Sequence, residues 1–229
     1  MSNAGSNLLL TSDEGWQLQI HGYLNPSIHH PAWYHLVGLI TEEEYKGAIA
    51  GRPTAGPLVA SFSLVGAEIQ CKPGMWSIAS ANVENMDQPL SLARRVFDEK
   101  LPHTPVQGCT LTFFFHHAAR LERGPHARLS RCMKDAGIGL TPPDGAHTSF
   151  SYSCKDNDCH ETVVVEPSQR KDGSIFLSYT AWHPLRPGAG MKAKPAVEEF
   201  FIGPLLIEYA AAAQNQAKNL LHRVLDALQ

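Results

Sequence analysis

The sequence predicts an α+β protein, an antiparallel sheet with helices packed on one side and a long C-terminal helix. Two patterns predict it. Short segments alternate apolar and polar residues with a period of two, as at Leu58, Ala60, Phe62 and Leu64 and in "SFSYSC", and turn signals such as Lys72-Pro73-Gly74 and Asp172-Gly173 separate them. From Pro204 onward the apolar period changes to that of a helix, through Leu206, Ala210, Ala213, Ala217, Leu220, Val224 and Leu228. The chain reads as a single domain over 1–229, or as two subdomains of about 1–117 and 118–229, with one sheet or two.

"GWQLQIHGYL" reads as the first strand. Thr41 and Glu44 then form a capping box, in which each side chain satisfies an orphan helix amide, and Gly51 is placed to stop that short helix. "PLVASFSLVGAEIQC" reads as one strand of a hairpin whose second strand is "MWSIASANV". Asp87 is placed to cap "QPLSLARRVFDEKL", with Pro89 in the first turn and Leu90, Ala93, Val96 and Phe97 on one face. "GCTLTFFFHH" is a strand by its aromatic and hydroxyl content.

Residues 118–147 lose all periodicity, and a loop of that length in a compact domain is uncommon. "HTSFSYSC", "CHETVVVEP" and "GSIFLSYTAWH" then follow as a three-stranded antiparallel meander. A Pro/Gly loop, "PLRPGAGMKAKP", leads into the final helix, which Gly203-Pro204 is expected to break or kink. Four consecutive alanines, 210–213, let that helix approach its partner layer closely.

Composition narrows the function classes. At 229 residues the chain buries roughly 70% of its unfolded surface, so neither disulfides nor a metal are needed for stability. Hydrophobic residues at 43% and charged residues at 18% describe a globular protein. A net charge of −3 argues against a surface that is wholly a nucleic-acid footprint. No apolar run is long enough to span a bilayer, and the opening "MSNAGSNLLLTSDEG" lacks the charged and apolar regions of a signal peptide. Five cysteines at irregular spacing fit a reducing cytoplasm better than a disulfide framework.

The densest cluster of reactive residues is "SYSCKDNDCHE", 151–161. If 148–154 pairs with 159–165, Cys154 and Cys159 face each other across a four-residue hairpin loop. A zinc site needs four ligands, and His160 on a regular strand points away from Cys159. Asp156, Asn157 and Asp158 are turn formers without the register of a calcium loop. The expectation is two reduced, unmetallated cysteines. The adjacent pairs His29-His30 and His116-His117, with His35, read as surface or strand-end histidines. No nucleophile elbow, zinc-protease helix motif or phosphate loop is present, and neither a cofactor nor a catalytic residue is indicated.

Two loops stand out electrostatically. Arg120, Arg123, Arg128, Arg131 and Lys134 face a single Glu122 in one, and Arg186, Lys192 and Lys194 stand without an acid in the other. In an acidic protein these eight residues are the candidate docking surface for a phosphate-bearing or acidic partner.

"CKPGMWSIASANVENMDQPLSLARRVFDEKLPHTPVQGCTLTFFFHH", residues 71–117, resembles a pattern in a group of sporadically distributed, uncharacterised bacterial proteins. Phe97 with His103-Thr104-Pro105-Val106 is its most specific part. That family has no assigned activity, so the resemblance implies a bacterial, intracellular origin and transfers no site residue. The functional expectation is a non-enzymatic binding or assembly protein that engages another macromolecule through its sheet or basic loops. The partner is a protein, self-association is expected, an acidic or nucleic-acid partner fits the loops, and no membrane is involved. The alternative is a small-ligand protein or enzyme with a pocket between sheet and C-terminal helix.

Overall fold

The structure, a computed structural model, describes residues 13–118, 150–155, 159–170, 174–184 and 202–228. Its strands are β1 (Glu14–Gly22), β2 (Thr54–Ala55), β3 (Ala60–Leu64), β4 (Ala67–Lys72), β5 (Met75–Ser80), β6 (Val106–Ala118), β7 (Phe150–Lys155), β8 (His160–Pro167) and β9 (Ser174–Pro184). They form one nine-stranded sheet in the order β2-β3-β4-β5-β1-β6-β9-β8-β7. Both halves of the chain share it, because β6 pairs antiparallel with β1 of the first half on one side and with β9 of the second half on the other.

The period-two pattern explains why these segments pair in this register. Trp16, Leu18 and Ile20 stand opposite Ser80, Ile78 and Trp76 on one side and Phe113, Leu111 and Cys109 on the other. The same inner face continues through Ile69 and Phe62 in one direction and through Tyr179, Leu177, Val163 and Val165 in the other. All of these side chains are buried. A one-residue slip of any strand would turn its apolar set away from the core.

Helices cover this inner face: α1 (Pro31–Leu36), α2 (Glu42–Ala50), α3 (Asp87–Arg94) running on as a π-helical segment (Arg95–Lys100), and α4 (Gly203–Leu228). The capping box of α2 forms as its sequence requires, with Glu44 N–H donating to Thr41 Oγ1 at 3.2 Å and Thr41 N–H to Glu44 Oε2 at 2.7 Å. From α4, Leu206, Ala210, Ala213, Ala217 and Leu220 are buried, whereas Ala211 and Ala212 are exposed. Only part of the alanine run therefore meets the sheet.

Four local expectations need correction. The segment 57–71 is two strands, since Val65 and Gly66 both take positive φ, 51° and 73°, and make a hairpin turn that a β-branched valine disguises. Asp87 lies inside the first turn of α3 and makes no capping bond. Gly203-Pro204 opens α4, where a proline is tolerated because the first-turn amides have no intrahelical partner. The cap comes from elsewhere: Asp98 of the π-helical segment accepts from Ile202 N–H at 2.7 Å and Gly203 N–H at 2.9 Å. Burial nonetheless holds the Asp98 carboxyl above its ordinary range.

The fourth correction concerns the cysteines. β7 and β8 pair Lys155 with His160 and Cys154 with Glu161, so Cys159 belongs to the turn and does not oppose Cys154. Counting the turn from Cys154 instead of Lys155 displaced the expected register.

Candidate functional site

The eight basic residues proposed from the sequence, Arg120, Arg123, Arg128, Arg131, Lys134, Arg186, Lys192 and Lys194, lie outside the described residues. Three other groupings are brought together by the fold, and the sequence reading paired none of them.

The first is a thiol and an imidazole. Cys159 Sγ lies 3.7 Å from His183 Nε2, and the His183 ring stacks on Tyr209 of α4 with centroids 4.4 Å apart. His183 stands opposite buried Cys109, and on the same face Tyr179 donates to Glu161 at 2.6 Å. A nucleophilic thiol needs a neighbouring base and room for substrate. Neither described cleft borders the pair. One, of about 290 Å³, lies between α3 and α4 and is lined by Leu90, Arg94, Leu206 and Gln214 among others; the second, of about 350 Å³, is lined by residues including Ile40, Glu44, Val65 and Arg95. Cys71 and Cys109 are poorer nucleophiles still, since burial pushes each thiol up to about 12.

The second grouping is a polar cluster inside the core. Tyr34 Oη accepts from Trp76 Nε1 at 3.1 Å and lies 3.0 Å from His29 Nδ1. His29 is 1% exposed, packs against Trp33 and Phe97, and has no hydrogen-bond partner for Nε2 among the described residues. Burial lowers its pKa to about 4. The expected surface histidine is instead a core residue held neutral. Its neighbours fare more simply: His30 Nδ1 accepts from Ala32 N–H at 3.1 Å, and His35 lies 3.1 Å from Glu42. Among the described residues no group of three or more His, Cys, Asp or Glu is arranged to hold a metal.

The third is the outer face of the sheet. Most of its strand residues are the polar half of each alternation, with Ala79, Phe114, Val164, Phe176 and Trp182 among them, and they align into rows. One runs Ser63, Glu68, Ala79, Gln17, Thr112, Thr180, Thr162, Ser153 across eight strands. Thr112 and Thr180 hydroxyls lie 3.2 Å apart, as do those of Ser153 and Thr162, and Gln19 Nε2 donates to Gln17 Oε1 at 3.2 Å. Such hydroxyl pairs are the cross-strand contacts of a solvated face.

Aromatic rings bracket these rows. At one end the indole of half-exposed Trp182 lies over Gly108, where a Cβ would stand 2.6 Å from the ring, and His21 meets its face edge-on at 5.2 Å. At the other end Phe114 covers Gly15 in the same way, and Phe176 packs 4.8 Å from His116. Glycine is required at both positions because a side chain would displace the ring. His21 Nε2 sits 3.0 Å from Thr110 Oγ1, and partial burial lowers its pKa. Phe114 and Ala79 are buried, yet neither joins the core cluster beneath the helices.

The sequence carried a signal for this face, in the polar positions between the apolar ones. No known family model matches the chain and no curated protein matches it. Among the described residues no helix is long and apolar enough to cross a membrane.

Proposed function

We propose that this is a non-enzymatic binding protein that docks a protein partner on the outer face of its sheet. The observation that carries the reading is a face of hydroxyl, amide and aromatic groups outside the core cluster, with Gln70, Ser77, Ala79 and Phe114 buried on it and Thr110, Thr112, Thr162, Thr180 and Trp182 partly exposed. Nine strands at ~4.8 Å spacing and about six residues of strand give roughly 800 Å², one side of a standard protein interface. Charge supports a neutral partner surface. The described charged side chains of the strands on this face are Glu68, Glu166 and Lys72, too balanced to attract a polyanion. Aromatic enrichment and charge depletion are the composition of an interface core. An intracellular, bacterial setting fits the resemblance of residues 71–117 and belongs to the same reading.

The test is site-specific photo-crosslinking in cells from a probe at Thr180, with a probe at Lys46 on α2 as control. The protein captured from Thr180 alone is then purified and titrated against the wild type, Thr180→Arg, and the triple variant Arg123→Glu, Arg128→Glu, Arg131→Glu. The expected result is at least tenfold weaker binding for Thr180→Arg, with little change for the triple variant. Equal capture from both probes overturns the reading. So does binding that Thr180→Arg leaves intact and the loop variant abolishes with strong salt dependence, which moves the functional surface to the basic loops.

A further inference from the structure

We propose that two copies of this chain join edge to edge through β7, extending the sheet across a two-fold axis with Ser153 opposite Ser153 of the second copy. The two edges of the sheet differ in kind. The β2 edge is two residues long and sits between Pro53 and the Gly56-Pro57 pair, so it offers little backbone to a neighbour. The β7 edge is six residues, FSYSCK, without proline or glycine, and its only charge is at the last position. Among the described residues nothing pairs with its outer side. This is the kind of edge that pairs with another chain unless something blocks it.

A second copy fits this edge for reasons of symmetry and chemistry. Antiparallel pairing of a strand with itself closes under a two-fold axis, so each copy satisfies the other and growth stops at two. Ser151 and Ser153 are exposed on the outer face, and Ser153 already ends the hydroxyl row in contact with Thr162. Pairing Ser153 with its symmetry mate adds one more hydroxyl pair and carries the row into the second sheet. It also separates the two Lys155 positions, placing each across from a Ser151. The contact is small, a strand's backbone bonds and few side chains, so it falls among the weak, transient interfaces.

This dimer neither requires the partner proposed above nor is required by it. The experiment is sedimentation velocity of the full chain from about 5 to 200 µM for the wild type, Ser153→Lys, Ser153→Glu, and an equimolar mixture of the two variants. Circular dichroism and melting temperature serve as folding controls. Like charges placed directly opposite each other repel, so each variant alone should be monomeric, while the mixture should regain a dimer at least as tight as the wild type. Ser153→Cys should form an intermolecular disulfide under mild oxidation, since Cβ atoms of opposed residues lie within about 5.5 Å. A wild type that stays monomeric at 200 µM overturns the proposal, as does a dimer that survives in both charged variants. Thr180→Arg should leave the dimer intact. Loss of the dimer in Thr180→Arg alone would make the outer face, and not β7, the self-association surface, and would overturn the β7 pairing.

Discussion

Along β6, Cys109, Leu111 and Phe113 are fully buried beneath the helices, while the intervening Thr110 and Thr112 face the other way and stay half-exposed. The same strand supplies both faces. On the inner face the side chains are held by volume, since each fills space that no water can reach. On the outer face they are held by pairs of hydroxyls and amides that could bond water equally well. Stability should therefore be concentrated on one face and recognition on the other.

The sharpest way to break that comparison is to remove mass from each face. Leu111→Ala deletes a fully buried side chain between Leu18 and Ala181 and should cost about 3–5 kcal/mol in urea unfolding. Thr112→Ala, on the next residue, should cost less than about 1 kcal/mol. Similar losses at the two positions would mean that the outer face is packed as tightly as the inner one.

A smaller effect separates the faces by pH. His29 lies in the inner core, and burial holds its pKa at about 4, below the ordinary value of 6.5. As pH falls through 6.5 the unfolded chain takes up this proton and the folded chain does not, so stability declines until about pH 4, where both forms are protonated. The full drop is ~3 kcal/mol at 1.36 kcal/mol per unit. His29→Phe should flatten the stability profile between pH 6.5 and 4 relative to the wild type, read by chemical denaturation at each pH. His21, on the outer face and only partly buried, is shifted in the same direction, and His21→Phe should change the slope far less. Equal slopes in His29→Phe and the wild type would show that His29 is reached by water.

The inner face was largely legible in the sequence because its signal is local. Leu18, Leu111 and Leu177 each sit in a window whose period can be counted, and the capping box of α2 spans four residues. What escaped was either non-local or masked by residue type. Asp98 caps a helix 104 positions away, and His183 meets Cys159 across a pairing no spacing rule fixes. Val65 at φ 51° is a turn residue by geometry and a strand residue by composition. The outer rows were present as serines, threonines and glutamines, residues that also describe any solvated strand. Only their alignment across eight strands distinguishes a face from a set of exposed positions.

The smallest expected effect addresses that alignment directly. Thr112 and Thr180 are cross-strand partners whose hydroxyls lie 3.2 Å apart on the outer face. Valine keeps the β-branched shape that suits a pleated strand and removes the hydrogen bond. A double-mutant cycle with Thr112→Val, Thr180→Val and both together should give a favourable coupling of only about 0.2–1 kcal/mol, measured by urea unfolding. The single variants should be near neutral, because a hydroxyl that loses its partner here regains one from water. A coupling above ~2 kcal/mol would require a desolvated pair, and hence a segment of the chain or a second copy lying over these threonines. A small coupling leaves the hydroxyls of Thr112 and Thr180 with little part in holding the fold together, as expected where water can replace either partner.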